Sequence, residues 1–326
     1  METRVMTTPP DTLPCSARFQ IPIIDASSLW SPDFQERLQL AGQVREACIN
    51  VEFFYIKNHG VTEPLITALH GAAHGFFCPS RGDKKEIFND KKFRGYVPFN
   101  AESSTGSDLD SPSSTGSLSE AFDIGYELAA DPEHFNEKSL PLDTYSLYGD
   151  NVWPDVKLPA FREIYMEYSA AALTLSRRLM RNFSLALDLE ETFFDSKIDY
   201  PGAFSRILHY PAQPLDGQTV DGMGAHTDTD CFTILSQDCV PALQVRNVNG
   251  EWTVVPPIPG TLVVNIADSL SKKTFKSTIH RVTNLTGQDR YSIPFFFGPP
   301  RSAPFKAGEW VSDKLSKGYP AYEVDE

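Results

Sequence analysis

From Ala203 onward the chain breaks into short apolar runs with turn residues, and no helical stretch, between them. The runs are Phe204 to Tyr210, Cys231 to Ser236, Ala242 to Asn247, Trp252 to Val255, Thr261 to Ile266, Ser277 to Asn284 and Tyr291 to Phe297. Asn249-Gly250 is a hairpin signal, since both residues tolerate the positive φ of a tight turn. Pro259-Gly260 marks another turn. Strands that follow one another without helices pair antiparallel and must bury a face, so this third of the chain is restricted to a sandwich or barrel.

The preceding half mixes strands and helices. Phe19 to Asp25 alternates like a strand, and Ser31-Pro32 opens a helix predicted from about Asp33 to about Asn50. Leu38, Ala41, Val44 and Ala47 or Cys48 give that helix an apolar stripe. Phe53 to Lys57 is a strand closed by Asn58-His59-Gly60, with His59 capping the turn. A second helix spans Pro64 to Phe77, and Arg81 to Phe88 is a shorter helical piece. Ala121 to Glu127 reads as a strand. Leu158 to Leu189 is a long helix whose Phe161, Ile164, Tyr165, Tyr168, Ala172, Leu175, Leu179 and Phe183 make a wide apolar face, suited to lie against a sheet as a spine. Between Asn100 and Glu120 the composition turns to Ser, Thr, Gly and Asp, with too little apolar surface to offset ordering, so a mobile insertion or a lid is expected there. The organisation is then a leader (1–18), a scaffold (19–190) carrying the loop 100–120, a strand region (200–300) and a tail (301–326).

Chemistry concentrates in Gly224-Ala225-His226-Thr227-Asp228-Thr229-Asp230. On an extended strand His226 and Asp228 share one face, and an imidazole and a carboxylate converging on one point suit a divalent metal. His280, between two strand-like runs, supplies a third ligand. Two His and one carboxylate cover one face of an octahedron and leave the other open, as in non-haem Fe(II) oxygenases; the same set also suits a Zn(II) hydrolase. Beyond His280, Arg290 and Ser292 share a strand face and form a fork for a carboxylate. Asp230, continuing the face of Asp228, is expected to point at the pocket mouth.

In its motifs the chain resembles the isopenicillin N synthase-like group of Fe(II)- and 2-oxoglutarate-dependent dioxygenases. The resemblance rests on Ile21-Pro22-Ile23-Ile24-Asp25, on Val51 to Val61, on Arg206-Ile207-Leu208-His209-Tyr210-Pro211, on the His-Thr-Asp and His-Arg-Val motifs, and on Arg290-Tyr291-Ser292. It implies an α+β fold with a double-stranded β-helix (jelly-roll) core and flanking helices. It also implies Fe(II) on His226, Asp228 and His280, 2-oxoglutarate held by Arg290, Ser292 and Tyr210, and oxidation of a small organic substrate by O2, with Phe296 against that substrate. Leu208-His209 stands where relatives commonly have Asn-Tyr, so His209 is a candidate substrate neighbour. Specialised metabolism is the implied setting. An isopenicillin N synthase-like oxidase, in which the Arg-x-Ser pair holds the substrate's own carboxylate and no 2-oxoglutarate is used, remains open at this point.

A formal charge of −14 argues against nucleic acid or an anionic membrane as partner. Cys15, Cys48, Cys78, Cys231 and Cys239 are an odd set without Cys-x-x-Cys, which suggests neither a disulfide framework nor a zinc knot. No apolar run is long enough to span a bilayer or serve as a signal peptide, and a cytoplasmic location is expected.

Overall fold

The computed structural model describes residues 20–78, 87, 94–99, 117–137, 139–140, 150–214, 220–270, 275 and 277–300. The leader, most of the Arg81–Phe88 piece, residues 100–116 of the Ser/Gly-rich segment and the tail lie outside the described residues.

Twelve strands form two sheets. The larger sheet has the order β1-β2-β10-β7-β12-β5-β4-β3, built from Ile23–Asp25, Phe53–Lys57, Thr261–Ile266, Phe232–Gln237, Arg290–Phe297, Phe204–Tyr210, Glu120–Gly125 and Gly95–Val97. The smaller has the order β6-β11-β8-β9, from Met223–His226, His280–Val282, Leu243–Arg246 and Trp252–Val254. Every pairing is antiparallel except β1 with β2. One apolar layer, including Phe53, Tyr55, Leu208, Leu235, Val245 and Val263, joins the two sheets. This is the jelly roll with flanking helices that the resemblance implies.

The outer face of the larger sheet carries the helices: α1 (Phe34–Asn50), α2 (Glu63–Phe77) and α3 (Phe161–Ala186). Asp33 caps α1, its carboxylate accepting from the Gln35 amide at 2.8 Å. The buried stripe of α1 is Leu40, Ala41, Val44, Ala47 and Cys48. Leu38, expected in that stripe, is exposed, and the stripe begins at Leu40 instead. The helix α3 is the expected spine, starting after Pro159 and ending before Asp188, whose φ of 59° leaves the helical region. Its Tyr165, Tyr168, Leu175, Leu179 and Phe183 meet Ile207, Phe232, Ile293, Phe295 and Phe297 of the sheet in one dry core. Period-2 alternation therefore gives the larger sheet a mainly apolar outer face, broken by Glu120, Ser205, His209 and Ser236, and lets its inner face carry polar residues beside the apolar layer.

A buried ion pair ties the loop after β4 to the spine. Both guanidinium ends of Arg177 reach the Asp131 carboxylate, at 2.7 and 2.6 Å, and the Tyr126 hydroxyl donates to it at 2.6 Å. Burial pushes the Asp131 carboxyl up, but these donors outweigh it and hold it below the usual carboxylate range. A carboxylate with a depressed folded-state pKa contributes stability that is present above its unfolded pKa and lost as pH falls through the folded one. Asp131→Asn, which leaves Arg177 only the exposed Glu133 carboxylate, 3.3 Å from its Nε, is therefore expected to lower stability at pH 7 by about 3 kcal/mol. In urea titrations the gap between wild type and variant should narrow once the pH drops below about 4; a gap independent of pH would refute the account.

Candidate active site

The smaller sheet sets the first two ligand positions. His226 ends β6 and His280 begins β11, and they are direct partners across the ladder, with ring centroids 4.3 Å apart. Asp228 does not share a strand face with His226, as expected from spacing. The strand stops at His226 and residues 227–229 have no regular structure. The chain instead turns there, and its carboxylate swings between the two rings. One Asp228 oxygen, Oδ1, lies 3.7 Å from His226 Nε2 and 3.6 Å from His280 Nε2. All three donor atoms fall within 4.8 Å of one another.

Hydrogen bonds fix which atoms face the centre. Nδ1 of His226 meets the Gly224 carbonyl at 2.8 Å, and Nδ1 of His280 meets the Thr278 carbonyl at 3.1 Å. A carbonyl only accepts, so each Nδ1 carries the proton and each Nε2 turns a lone pair inward. The outer carboxylate oxygen, Oδ2, accepts from Thr233 Oγ1 at 2.6 Å and Asn265 Nδ2 at 2.7 Å. Burial alone would raise the Asp228 carboxyl, but positive charge at the two imidazole positions and these two donors hold it below the usual range, and with both rings neutral a metal cation would supply that charge. Three lone-pair donors pointed at one another, with no proton between them, repel unless a cation sits among them. The residues present fit a divalent metal.

Arg290 begins β12 opposite Tyr210 of β5 and is fully buried. Its Nη1 donates to Ser292 Oγ at 3.1 Å and its Nη2 to Gln237 Oε1 at 2.9 Å, while the guanidinium lies 5.1 Å from the Tyr210 ring centre. Its Nε has no partner, and no carboxylate among the described residues lies within ion-pair distance. Asp238, whose field reaches it, is turned to the Tyr291 and Val240 amides. A guanidinium in this setting is costly, and burial pulls its pKa down. The donor set fits an incoming carboxylate, and the hydroxyl of Ser292 and ring of Tyr210 frame the place for it.

Strand register locates the other candidates. Asn265, Thr233, Phe296 and Phe204 are successive partners across β10, β7, β12 and β5, so they make one row on the inner face. Phe296 thus stands one strand from Thr233, which holds Asp228. His209 is a correction. It belongs to the opposite face of β5 from Tyr210, where it stacks on Tyr291 with ring centroids 4.9 Å apart and bonds Glu120 Oε1 at 2.8 Å. Period 2 along β5 sends it to the helix side, away from Arg290. Asp230 does not continue a strand face either. It is buried in the loop, with its Cβ 3.6 Å from where a side chain on Gly298 would begin.

Gln237 and Thr233 are contributors that sequence reasoning missed. The predicted strand stopped at Ser236, one short of Gln237, although a polar residue at the end of Phe-Thr-Ile-Leu-Ser-Gln in phase with Thr233 was the available signal. Gly222 is a further one: a Cβ there would come within 2.4 Å of the Tyr210 ring, so glycine lets Tyr210 lie beside Arg290.

Two family models match the chain. Residues 21–156 match one described as non-haem dioxygenase in morphine synthesis N-terminal. Residues 201–299 match the 2OG-Fe(II) oxygenase superfamily. A 2-oxoglutarate-Fe(II) type oxidoreductase of Aspergillus fumigatus is 38% identical over 85% of this chain and 81% of its own. A homoarginine-6-hydroxylase of Glycine max is 33% identical over 85% of each chain. The structure of Neurospora crassa T7H in complex with alpha-KG and thymine superposes with a TM-score of 0.70 and 26% identity, over 87% of each chain. The chain accordingly belongs to the Fe(II)- and 2-oxoglutarate-dependent oxygenase family, non-haem dioxygenases that use Fe(II), 2-oxoglutarate and O2.

Proposed function

We propose that His226, Asp228 and His280 hold Fe(II), that Arg290, Ser292 and Tyr210 hold the distal carboxylate of 2-oxoglutarate, and that the enzyme oxidises a small organic molecule of specialised metabolism in the cytosol. The observation that carries this is the pairing of two unmet charges between the sheets: three converging lone pairs, and a buried guanidinium with no carboxylate among the described residues in ion-pair distance. Bound Fe(II) supplies O2 activation coupled to decarboxylation of the oxo acid. The chain's residues position and orient. Thr233 and Asn265 hold the Asp228 carboxylate so that only Oδ1 is offered. The Gly224 and Thr278 carbonyls lock both imidazoles in the ligating tautomer. Gln237 and Ser292 fix the plane of the Arg290 fork before any anion arrives. Phe296 and Asp230 border the substrate.

Support for a small-molecule substrate comes from relatives whose names state one, homoarginine-6-hydroxylase and the thymine complex. The morphine-synthesis description of the N-terminal family supports specialised metabolism. Free thiols at Cys48, Cys78, Cys231 and Cys239 support a reducing compartment. No helix among the described residues is long and apolar enough to cross a membrane.

His280→Ala is expected to abolish Fe(II) binding in anaerobic titration with the circular dichroism spectrum intact. Asn265→Ala, which removes one support of Asp228, should weaken Fe(II) by about 10–100-fold; wild-type affinity in either variant would break the metal assignment. For Arg290→Ala, a loss of about 1.5–3 kcal/mol in 2-oxoglutarate binding is expected, and Arg290→Lys should restore little because an ammonium has no fork. If 2-oxoglutarate affinity held and only substrate affinity fell, Arg290 would instead belong to the substrate. Asp230→Asn keeps shape and removes charge, so a selective rise in substrate KM with unchanged iron and 2-oxoglutarate affinity is the expected result. Unaltered kinetics would remove Asp230 from the substrate wall.

A further inference from the structure

Among the described residues Asn58, Asp188 and Glu52 hold a positive φ without being glycine. The short polar side chains of Asn and Asp tolerate that region, but Glu52, at 64°, has no such excuse. Glycine would adopt the same conformation at no steric cost, so a strained residue stands where the backbone alone does not need one. The stem of Glu52 is fixed on both sides. Its amide donates to the Ala47 carbonyl at 2.8 Å, closing the end of α1, and its carbonyl accepts from the Ile266 amide at 3.2 Å, at the end of β10. From there the partly buried side chain reaches Thr278, whose hydroxyl donates to Glu52 Oε2 and lies 3.2 Å from the Val51 carbonyl. The Thr278 carbonyl is the acceptor that faces Nδ1 of His280 at 3.1 Å. The neighbouring Phe53 meets the His280 ring edge-on at 5.4 Å and is the register partner of Asn265, which holds Asp228.

We infer that Glu52, remote from the metal position in sequence and supplied by the scaffold half of the chain, is a positioning residue for His280: by holding Thr278 it aims the carbonyl that orients the imidazole. The inference rests on the Fe(II) assignment above and extends it to a residue that touches no ligand. The two histidines differ in how their carbonyl partners are held. Gly224, which serves His226, lies inside β6, where the strand itself fixes its carbonyl. Thr278 lies before β11, whose ladder begins only at His280, so a side-chain contact takes over that task. Once the Thr278 peptide can rotate, its carbonyl leaves Nδ1, the ring is free to turn or change tautomer, and the Nε2 lone pair points at the metal position for only part of the time. Ending α1 requires only the backbone bonds of residue 52, which glycine makes equally well. The contact with Thr278 requires an acceptor on a side chain of this length, and that requirement accounts for glutamate at a positive φ.

The test uses the full-length protein and two readouts: Fe(II) affinity by anaerobic titration, and, in the metal-free protein, the exchange rate of the His280 ring N–H, identified in NMR spectra by its loss in H280A. Residues that orient a metal ligand directly are worth about 10–100-fold in affinity, and Glu52 acts one contact further out, so E52G should weaken Fe(II) about tenfold and speed the ring N–H exchange by a similar factor, with the circular dichroism spectrum intact. E52Q keeps an acceptor at the same reach and should bind Fe(II) within about twofold of wild type. T278V keeps the shape of Thr278, removes its hydroxyl and should match E52G in both readouts. The double variant E52G/T278V should lose no more than either single one, which separates this contact from every other that Glu52 makes. Should E52G not fold, E52Q and T278V carry the test with the same expectations. Wild-type iron affinity and ring exchange in E52G or T278V, no rescue in E52Q, or losses that add in the double variant overturn the proposal. Wild-type protein that binds no Fe(II) would instead condemn the metal assignment.

Discussion

The convergence of three lone pairs at His226, Asp228 and His280 governs the rest of the architecture. Acceptors held face to face are unstable as a group, so each must be restrained from outside: the two imidazoles through Nδ1 by the Gly224 and Thr278 carbonyls, the carboxylate through Oδ2 by Thr233 and Asn265. Those restraints come from both sheets. His226 and His280 belong to the smaller sheet, whereas Thr233 and Asn265 are neighbours in the larger one. The metal position thus exists only when the two sheets face each other at the right separation. The apolar layer of Phe53, Leu208, Leu235, Val245 and Val263 sets that separation, and Phe53 also meets the His280 ring edge-on at 5.4 Å.

Function on one face demands compensation on the other. Arg290, Arg206, Asp123, Asn265 and Thr233 take inner-face positions that could have been apolar, and each costs desolvation. Where α3 lies against the outer face the answer is aromatic and aliphatic: Ile207, Phe232, Ile293, Phe295 and Phe297 pack in its core, most of them with no measurable exposure. Each such side chain contributes roughly 1.5–3 kcal/mol of burial. Because successive residues of a strand alternate sides, a catalytic face and a structural face are carried by the same strands. A helix could not separate them so cleanly, since its apolar stripe and polar face share edges along their whole length.

What the sequence revealed follows the same division. Period and turn chemistry located most strands of the second half to within a residue or two, although the run from Ser277 to Asn284 shrank to His280–Val282, and the spacing of Tyr165, Tyr168, Leu175 and Leu179 located the spine, because outer-face burial is a repeating local pattern. The metal and Arg290 motifs stood out through rare residue types close together in the chain. Three features were hidden for physical reasons. The turn after His226 breaks the period that a His-x-Asp strand would have, so Asp228 and Asp230 could not be assigned a face by counting. His209 sits beside Tyr210 in the chain and yet on the other side of the sheet, a distinction that rests on strand phase alone. The Arg206–Asp123 pair joins residues far apart in sequence, and no local pattern announces a cross-strand partner.

The inner face also makes ligand binding and folding one equilibrium. Before metal and anion arrive, the converging acceptors repel and the Arg290 guanidinium is held without a counter-charge among the described residues, and both costs belong to the folded chain alone because the unfolded chain solvates the same groups in water. Ligands that relieve them bind the folded state and add RT ln(1 + [L]/Kd) to its stability, about 2.7 kcal/mol at a hundredfold excess over Kd. The two reliefs reinforce each other. On the proposed assignment, an oxo acid anchored at Arg290 would answer the guanidinium at one end and offer its other end to the metal position.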